Sequence, residues 1–164
     1  MRRKSPDKSQ PTAYAKAVGL LSRREQSERE LKRKLAASGY AADEAGMALD
    51  RLKSQKFQDD VRFAGVLVRT RISQGYGLRR IAFELRSHGV SEADAAAAMA
   101  EEAPDWAALA VNLYRRRFGS RPAADAAERA RRAGFLLRRG FDAATVRSIT
   151  HADDVDDGTD DAFD

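Results

Sequence analysis

Ten arginines stand out by type and spacing. Arg69 and Arg71 precede a Gly75-Tyr76-Gly77 turn, and Arg79, Arg80 and Arg86 follow it. Farther along, Arg115, Arg116 and Arg117 form a triple, and Arg138 and Arg139 stand directly before Gly140. Clustered guanidinium groups bind phosphates and carboxylates through forked hydrogen bonds. The chemistry on offer is therefore anion recognition, toward a polyanion or an acidic protein surface. The triple and the Arg138-Arg139 pair have a second explanation, because cations at a helix C-terminus complement its dipole. Arg79 and Arg80 do not. They fall at the start of a helical pattern, where cations are unfavourable, and this points to an external partner. Gly75 and Gly77 also expose backbone beside them, which makes the turn a candidate anion contact as well as a helix–helix turn.

Other chemistries find little support. The chain has no cysteine, which excludes disulfides and thiolate metal sites. Its two histidines, His88 and His151, are far apart in sequence, so a histidine metal site or a histidine-based triad is not expected. Most carboxylates sit at helix starts or in the tail; Asp59-Asp60 is the one tight internal pair in a position to attract notice, and a helix N-cap explains it better than general acid–base work. The Gly75-Tyr76-Gly77 turn lacks the preceding strand and the following Gly-Lys-Ser/Thr of a phosphate-binding loop. No catalytic, cofactor or metal residue is assigned. No apolar run approaches the ~20 residues of a membrane span, and the basic start has no apolar segment behind it. The expectation is a cytoplasmic, monomeric protein that is not an enzyme and has no membrane partner.

Charge is unevenly placed. The formal net charge is +5, from 30 basic and 25 acidic residues, with arginine outnumbering lysine 23 to 7. Residues 153–164 hold seven aspartates and no lysine or arginine, so the rest of the chain is more basic than the total implies. Residues 1–13 are basic and contain two of the 4 prolines. Both ends read as disordered. A solubilising role suits the acidic tail; folding back onto a basic face, in competition with a polyanion, is the alternative.

The elements that carry these residues follow from composition and repetition. Ala, Glu, Lys, Leu and Arg make up about half of the chain, a mixture that favours helix. Three segments align on Gly39, Gly89 and Gly140. Leu35, Leu85 and Leu136 sit four residues before each glycine; Leu31 and Ile81 sit four before those, and Arg132 breaks the pattern in the third copy. Tyr40, Val90 and Phe141 follow the glycines. This is a helix ended by a left-handed glycine, with the next apolar residue packing back on the last turn.

A helix precedes and another follows each of these segments, which gives three three-helix repeats. Ser27 to Glu30 reads as a capping box, with the Ser27 hydroxyl accepting from the backbone and Glu30 reaching back. Ala45, Ala48, Leu49 and Leu52 share one helical face, and Phe63, Val66, Leu67 and Thr70 another. Asp59-Asp60 and Ser91 to Asp94 open helices, and further helices run from about Asp125 to Arg139 and from Asp142 to Thr150. The predicted organisation is a basic N-terminus over 1–13, repeats over 14–57, 58–104 and 105–152, and an acidic tail over 153–164. The fold class is all-α, an elongated tandem array of helix-turn-helix-like units.

The run from Leu20 to Leu35, the Asp59 to Ala64 segment with Val68 to Arg71, the stretch from Gly75 through Arg80–Leu85 to Val90, and the final Arg116-Arg117-Phe118-Gly119, Pro122 and Phe135 to Phe141 together resemble the RecX regulatory family. The resemblance covers about residues 14–150. It implies tandem three-helix units in a bacterial cytoplasmic protein without enzymatic activity. Members bind the RecA recombinase filament and inhibit its extension, ATP hydrolysis, strand exchange and repressor-cleavage co-stimulation; some bind DNA weakly. Family members often carry proline after the second glycine of the turn, where this chain has Leu78. The competing reading is a sequence-nonspecific DNA-binding module of the helix-turn-helix type, although the candidate recognition helices lack a set of Asn and Gln beside Arg for reading bases.

Overall fold

The computed structural model describes residues 10–151. Nine helices and no strand occur among them: α1 (Ala13–Leu21), α2 (Glu28–Ala37), α3 (Ala42–Ser54), α4 (Asp60–Ser73), α5 (Leu78–Ser87), α6 (Glu92–Glu102), α7 (Trp106–Phe118), α8 (Ala126–Arg138) and α9 (Ala143–Thr150). The basic segment 1–9 and the tail 153–164, for which disorder is expected, lie outside the described residues. Residues 10–13 belong to the fold. Thr12 caps α1 by accepting from the Ala15 N–H at 3.2 Å, Ala13 is buried, and Gln10 donates to the Ser38 carbonyl at 2.9 Å.

The chain divides into two compact units. The first holds α1–α3, the start of α4 through Phe63, and residues 88–90. Helices α1, α2 and α3 pack on one another over Ala13, Ala17, Leu31, Leu35, Ala45, Ala48, Leu49 and Leu52. The expected face of α3 is therefore the buried one. The Ser27 hydroxyl accepts from the Glu30 N–H at 3.1 Å, as a cap should. Glu30 does not complete the capping box. Its carboxylate is buried and turns to Arg24 and to Lys34, the latter at 2.8 Å. Two cations outbid one backbone N–H for the same oxygens. Asp59 caps α4 through the Val61 and Arg62 N–H groups, while Asp60 accepts from the Glu28 N–H at 2.9 Å and so caps α2 instead.

The second unit holds the rest of α4 with α5–α9. Its largest buried cluster joins α7, α8 and α9 through Ala110, Leu113, Ala133, Leu136, Phe141, Ala143 and Val146. On α4 the buried residues are Phe63, Ala64, Gly65 and Val68; Thr70, expected on the apolar face, is exposed and returns its hydroxyl to the Val66 carbonyl at 2.7 Å. Val66 and Leu67 are half-buried.

The three aligned glycines all take the left-handed conformation, with φ of 87°, 79° and 92° at Gly39, Gly89 and Gly140. The Tyr40 N–H donates to Leu35 at 3.2 Å and the Phe141 N–H to Leu136 at 3.3 Å, the paired closure expected of such ends. Arg132 keeps the place of Leu31 and Ile81 and is buried like them, only 5% exposed. Its guanidinium donates to Glu128 at 2.6 Å, to the Tyr114 hydroxyl at 2.8 Å and to the Arg121 carbonyl at 2.9 Å. Its Nε also donates to Glu128 at 3.2 Å, and a buried charge persists when each of its nitrogens finds an acceptor in this way.

Candidate partner-binding surface

All ten singled-out arginines lie in the second unit. The fold gathers four of them around residues 74–77. Glu84, on α5, accepts from Arg71 at 2.6 Å and from Arg80 at 3.2 Å, so one carboxylate holds two guanidinium groups. Arg71 and Arg139 both reach the Tyr76 ring, their guanidinium carbons standing 5.8 and 4.8 Å from its centroid. Arg139 also donates to the Gln74 carbonyl at 3.0 Å. Arg116 reaches the same turn, its Nη2 at 3.7 Å from where a side chain on Gly75 would begin. Arg116 itself is exposed and enters no ion pair among the described residues. Two guanidinium groups thus stand by the Tyr76 ring, a third shares the Glu84 carboxylate with Arg71, and a fourth reaches Gly75 of the same turn.

The other six stand apart from this group. Arg69 pairs with Glu102 at 3.1 Å. Arg86 is exposed and Arg79 half-buried, and both interact within the chain. Arg115, Arg117 and Arg138 are exposed, with Arg117 lying 6.0 Å from the Phe118 ring centre.

Two expectations about the turn are corrected. The Gly77 N–H donates to the Arg139 carbonyl at 2.7 Å and the Arg79 N–H to the Gly140 carbonyl at 3.0 Å. The amides expected to face an anion are thus occupied by the C-terminal end of α8. Gly77 is buried against it, and a β-carbon there would sit 2.5 Å from the Gly140 carbonyl oxygen. The carbonyl end of α8 also places negative potential at the start of α5. Arg80 adds an i, i+4 pair with Glu84. The local cost that seemed to demand an external partner for Arg79 and Arg80 is met inside the fold.

Sequence reasoning missed Glu84 and Tyr76 as organisers of the surface. The Arg80–Glu84 spacing was a usable signal, since such pairs meet on a helix. Nothing local marks Tyr76, because Arg139 is brought to it from far along the chain. Among the described residues no group of three or more His, Asp or Glu could hold a metal ion, and no helix is long and apolar enough to cross a membrane.

An all-helical chain of tandem three-helix domains with an arginine-rich surface is a class defined by fold and charge. Comparison with known proteins places it more narrowly. The RecX first three-helix domain matches residues 13–52, the second 59–99 and the third 105–150. Regulatory protein RecX from Xanthomonas campestris pv. campestris (strain B100) is 46% identical over 142 residues, covering 87% of this chain and 88% of that protein. The Stenotrophomonas maltophilia (strain K279a) protein of the same name is 43% identical over 145 residues, covering 88% and 89%. A crystal structure of regulatory protein RecX superposes with a TM-score of 0.71 at 26% identity, over 85% of this chain and 71% of that one. RecX from Lactobacillus salivarius, at 20% identity and a TM-score of 0.67 over 85% and 92%, shares the fold. The chain belongs to the RecX family of regulatory proteins.

Proposed function

We propose that this chain binds the RecA recombinase filament on DNA and inhibits its extension, ATP hydrolysis, strand exchange and co-protease activity, acting as a monomer in the cytoplasm. The observation that carries this reading is the match of all three RecX three-helix domains, in order, over nearly all of the described residues. The arginines around Tyr76 supply the contact, with Arg116 as its exposed cation and Glu84 and Tyr76 holding Arg71, Arg80 and Arg139 in position. Their partner is acidic protein surface or filament DNA.

Sedimentation of preformed RecA filaments on single-stranded DNA tests the reading. The chain pellets with the filaments, and the Arg116→Ala variant pellets several-fold less with unchanged helicity. Equal pelleting of this variant removes Arg116 and its surface from the interaction. The exposed Arg115, Arg116 and Arg117 also favour a second reading, a sequence-nonspecific DNA-binding module. That reading gains if the chain pellets equally well with DNA lacking RecA.

A further inference from the structure

The third three-helix domain carries an open cavity of about 680 Å³ whose lining includes Arg115, Arg121 and Arg129, with His151 at one edge. Among the described residues no carboxylate lines it. The nearest acids on α8 are committed elsewhere: Asp125 caps the helix, accepting from the Glu128 N–H at 2.7 Å, and Glu128 holds Arg132 and the Ala124 N–H. Among the described residues, the side chains of Arg115, Arg121 and Arg129 take part in no ion pair. Arg129 lies in the first turn or so of α8, where the helix dipole opposes a cation, and Arg121 lies in the connection before it. Neither has the helix-end explanation available to Arg115. The wall beside the cations is apolar, from Val111, Pro122 and Ile149.

We infer that this cavity is a docking site for the chain's own acidic segment, residues 153–164. Three observations converge on this occupant. His151 lines the cavity and only Ala152 separates it from the segment, so the segment's first two residues can be carried no more than about 7–11 Å from His151. The segment carries seven aspartates and no cation, opposite a lining with three arginines and no acid. It also holds Phe163, an aromatic suited to the apolar wall. A tether this short gives an effective concentration in the millimolar range, so contacts too weak to hold a free peptide suffice here. The docked segment covers Arg115. The regulatory consequence, that the tail competes with an acidic partner for this domain, rests on the proposed RecA role; the docking itself does not.

The chain has no cysteine, so Ala162→Cys creates a single attachment point in the full-length protein. A nitroxide placed there reports docking by loss of amide NMR signal, without RecA present. Selective loss at Ser120, Ser148 and Ile149 at low ionic strength is expected. The loss disappears when Arg121→Ala and Arg129→Ala are combined, and at about 1 M salt, where screening acts beyond ~3 Å. Signal loss spread evenly over the molecule, or selective loss that survives the double variant with unchanged helicity, overturns the proposal. If docking holds while RecA inhibition is absent, the site stands and the RecA reading fails.

Discussion

The backbone N–H of Arg79 donates to the carbonyl oxygen of Gly140 across 3.0 Å, so the first turn of α5 is capped by the last residues of α8. The Gly77 N–H makes the companion bond to the Arg139 carbonyl at 2.7 Å. Donors left over at one helix start meet acceptors left over at another helix end, and the two dipoles oppose favourably. One glycine thus does two jobs: it ends α8 in the left-handed conformation and lets the start of α5 approach. This contact also fixes Tyr76 and Arg139 beside Arg71, and so sets the shape of the arginine surface.

Gly140→Ala is therefore expected to cost more than the same change at Gly39. Both glycines have positive φ, at 92° and 87°. A β-carbon at Gly39 meets nothing within 4 Å, whereas at Gly140 it lies 2.5 Å from the Arg80 β-carbon. Gly39→Ala should cost about 1–2 kcal/mol, the left-handed penalty alone. Gly140→Ala should exceed it by about 1–3 kcal/mol, as overpacking does. Urea unfolding of the two variants measures the difference.

Glu30 predicts an acid limb. Burial raises its carboxyl pKa, but hydrogen bonds from Arg24 and Lys34 outweigh burial and hold it at about 2, below the ordinary 4.5. The folded value lies below the unfolded one, so the contribution is fully present above pH 4.5 and is lost as pH falls toward 2. With Arg24 exposed and screened, the contribution is on the order of 1–2 kcal/mol. Glu30→Gln should lower stability near neutral pH and flatten the decline between those values in pH-dependent urea titrations.

Arg132 predicts a size-against-charge contrast. Arg132→Ala empties a buried site and strips partners from Glu128, the Tyr114 hydroxyl and the Arg121 carbonyl. Arg132→Met strips the same partners but fills the volume, as Leu31 does in the first repeat. Thermal unfolding should show a fall of several degrees for alanine and a smaller one for methionine. Equal falls would mean that the hydrogen bonds, not the packing, dominate.

Arg116 and Glu84 predict different kinds of loss. Arg116→Ala removes an exposed cation and should reduce RecA inhibition several-fold at unchanged thermal stability. Glu84→Gln leaves Arg71 and Arg80 without their shared carboxylate. It should shift both inhibition and unfolding midpoint, since it acts through the arginines it positions.

Local rules carried most of the fold. The glycines at 39, 89 and 140, the aspartates at 125 and 142 and the serines at 27 and 91 mark helix ends by their own chemistry, and periodicity marks the buried face of α3. What eluded sequence reasoning was long-range. Asp60 reads as part of its own helix start, yet it caps α2, because only the fold brings Glu28 to it. Arg132 reads as a broken pattern, yet it is buried, because Tyr114 and the Arg121 carbonyl arrive from elsewhere. Arg79 and Arg80 read as cations placed at a cost, and α8 removes that cost. The arginine surface was legible as composition, but not which of the ten the fold gathers at the turn of residues 74–77.

The most direct test of the central claim is ATP hydrolysis by the cognate RecA on single-stranded DNA as this chain is added, with a parallel series in excess single-stranded DNA. Inhibition well below one molecule per RecA subunit, persisting in excess DNA, is expected. No inhibition, or inhibition abolished by the added DNA, would contradict it and leave the chain as a DNA binder that acts only by competing for the strand.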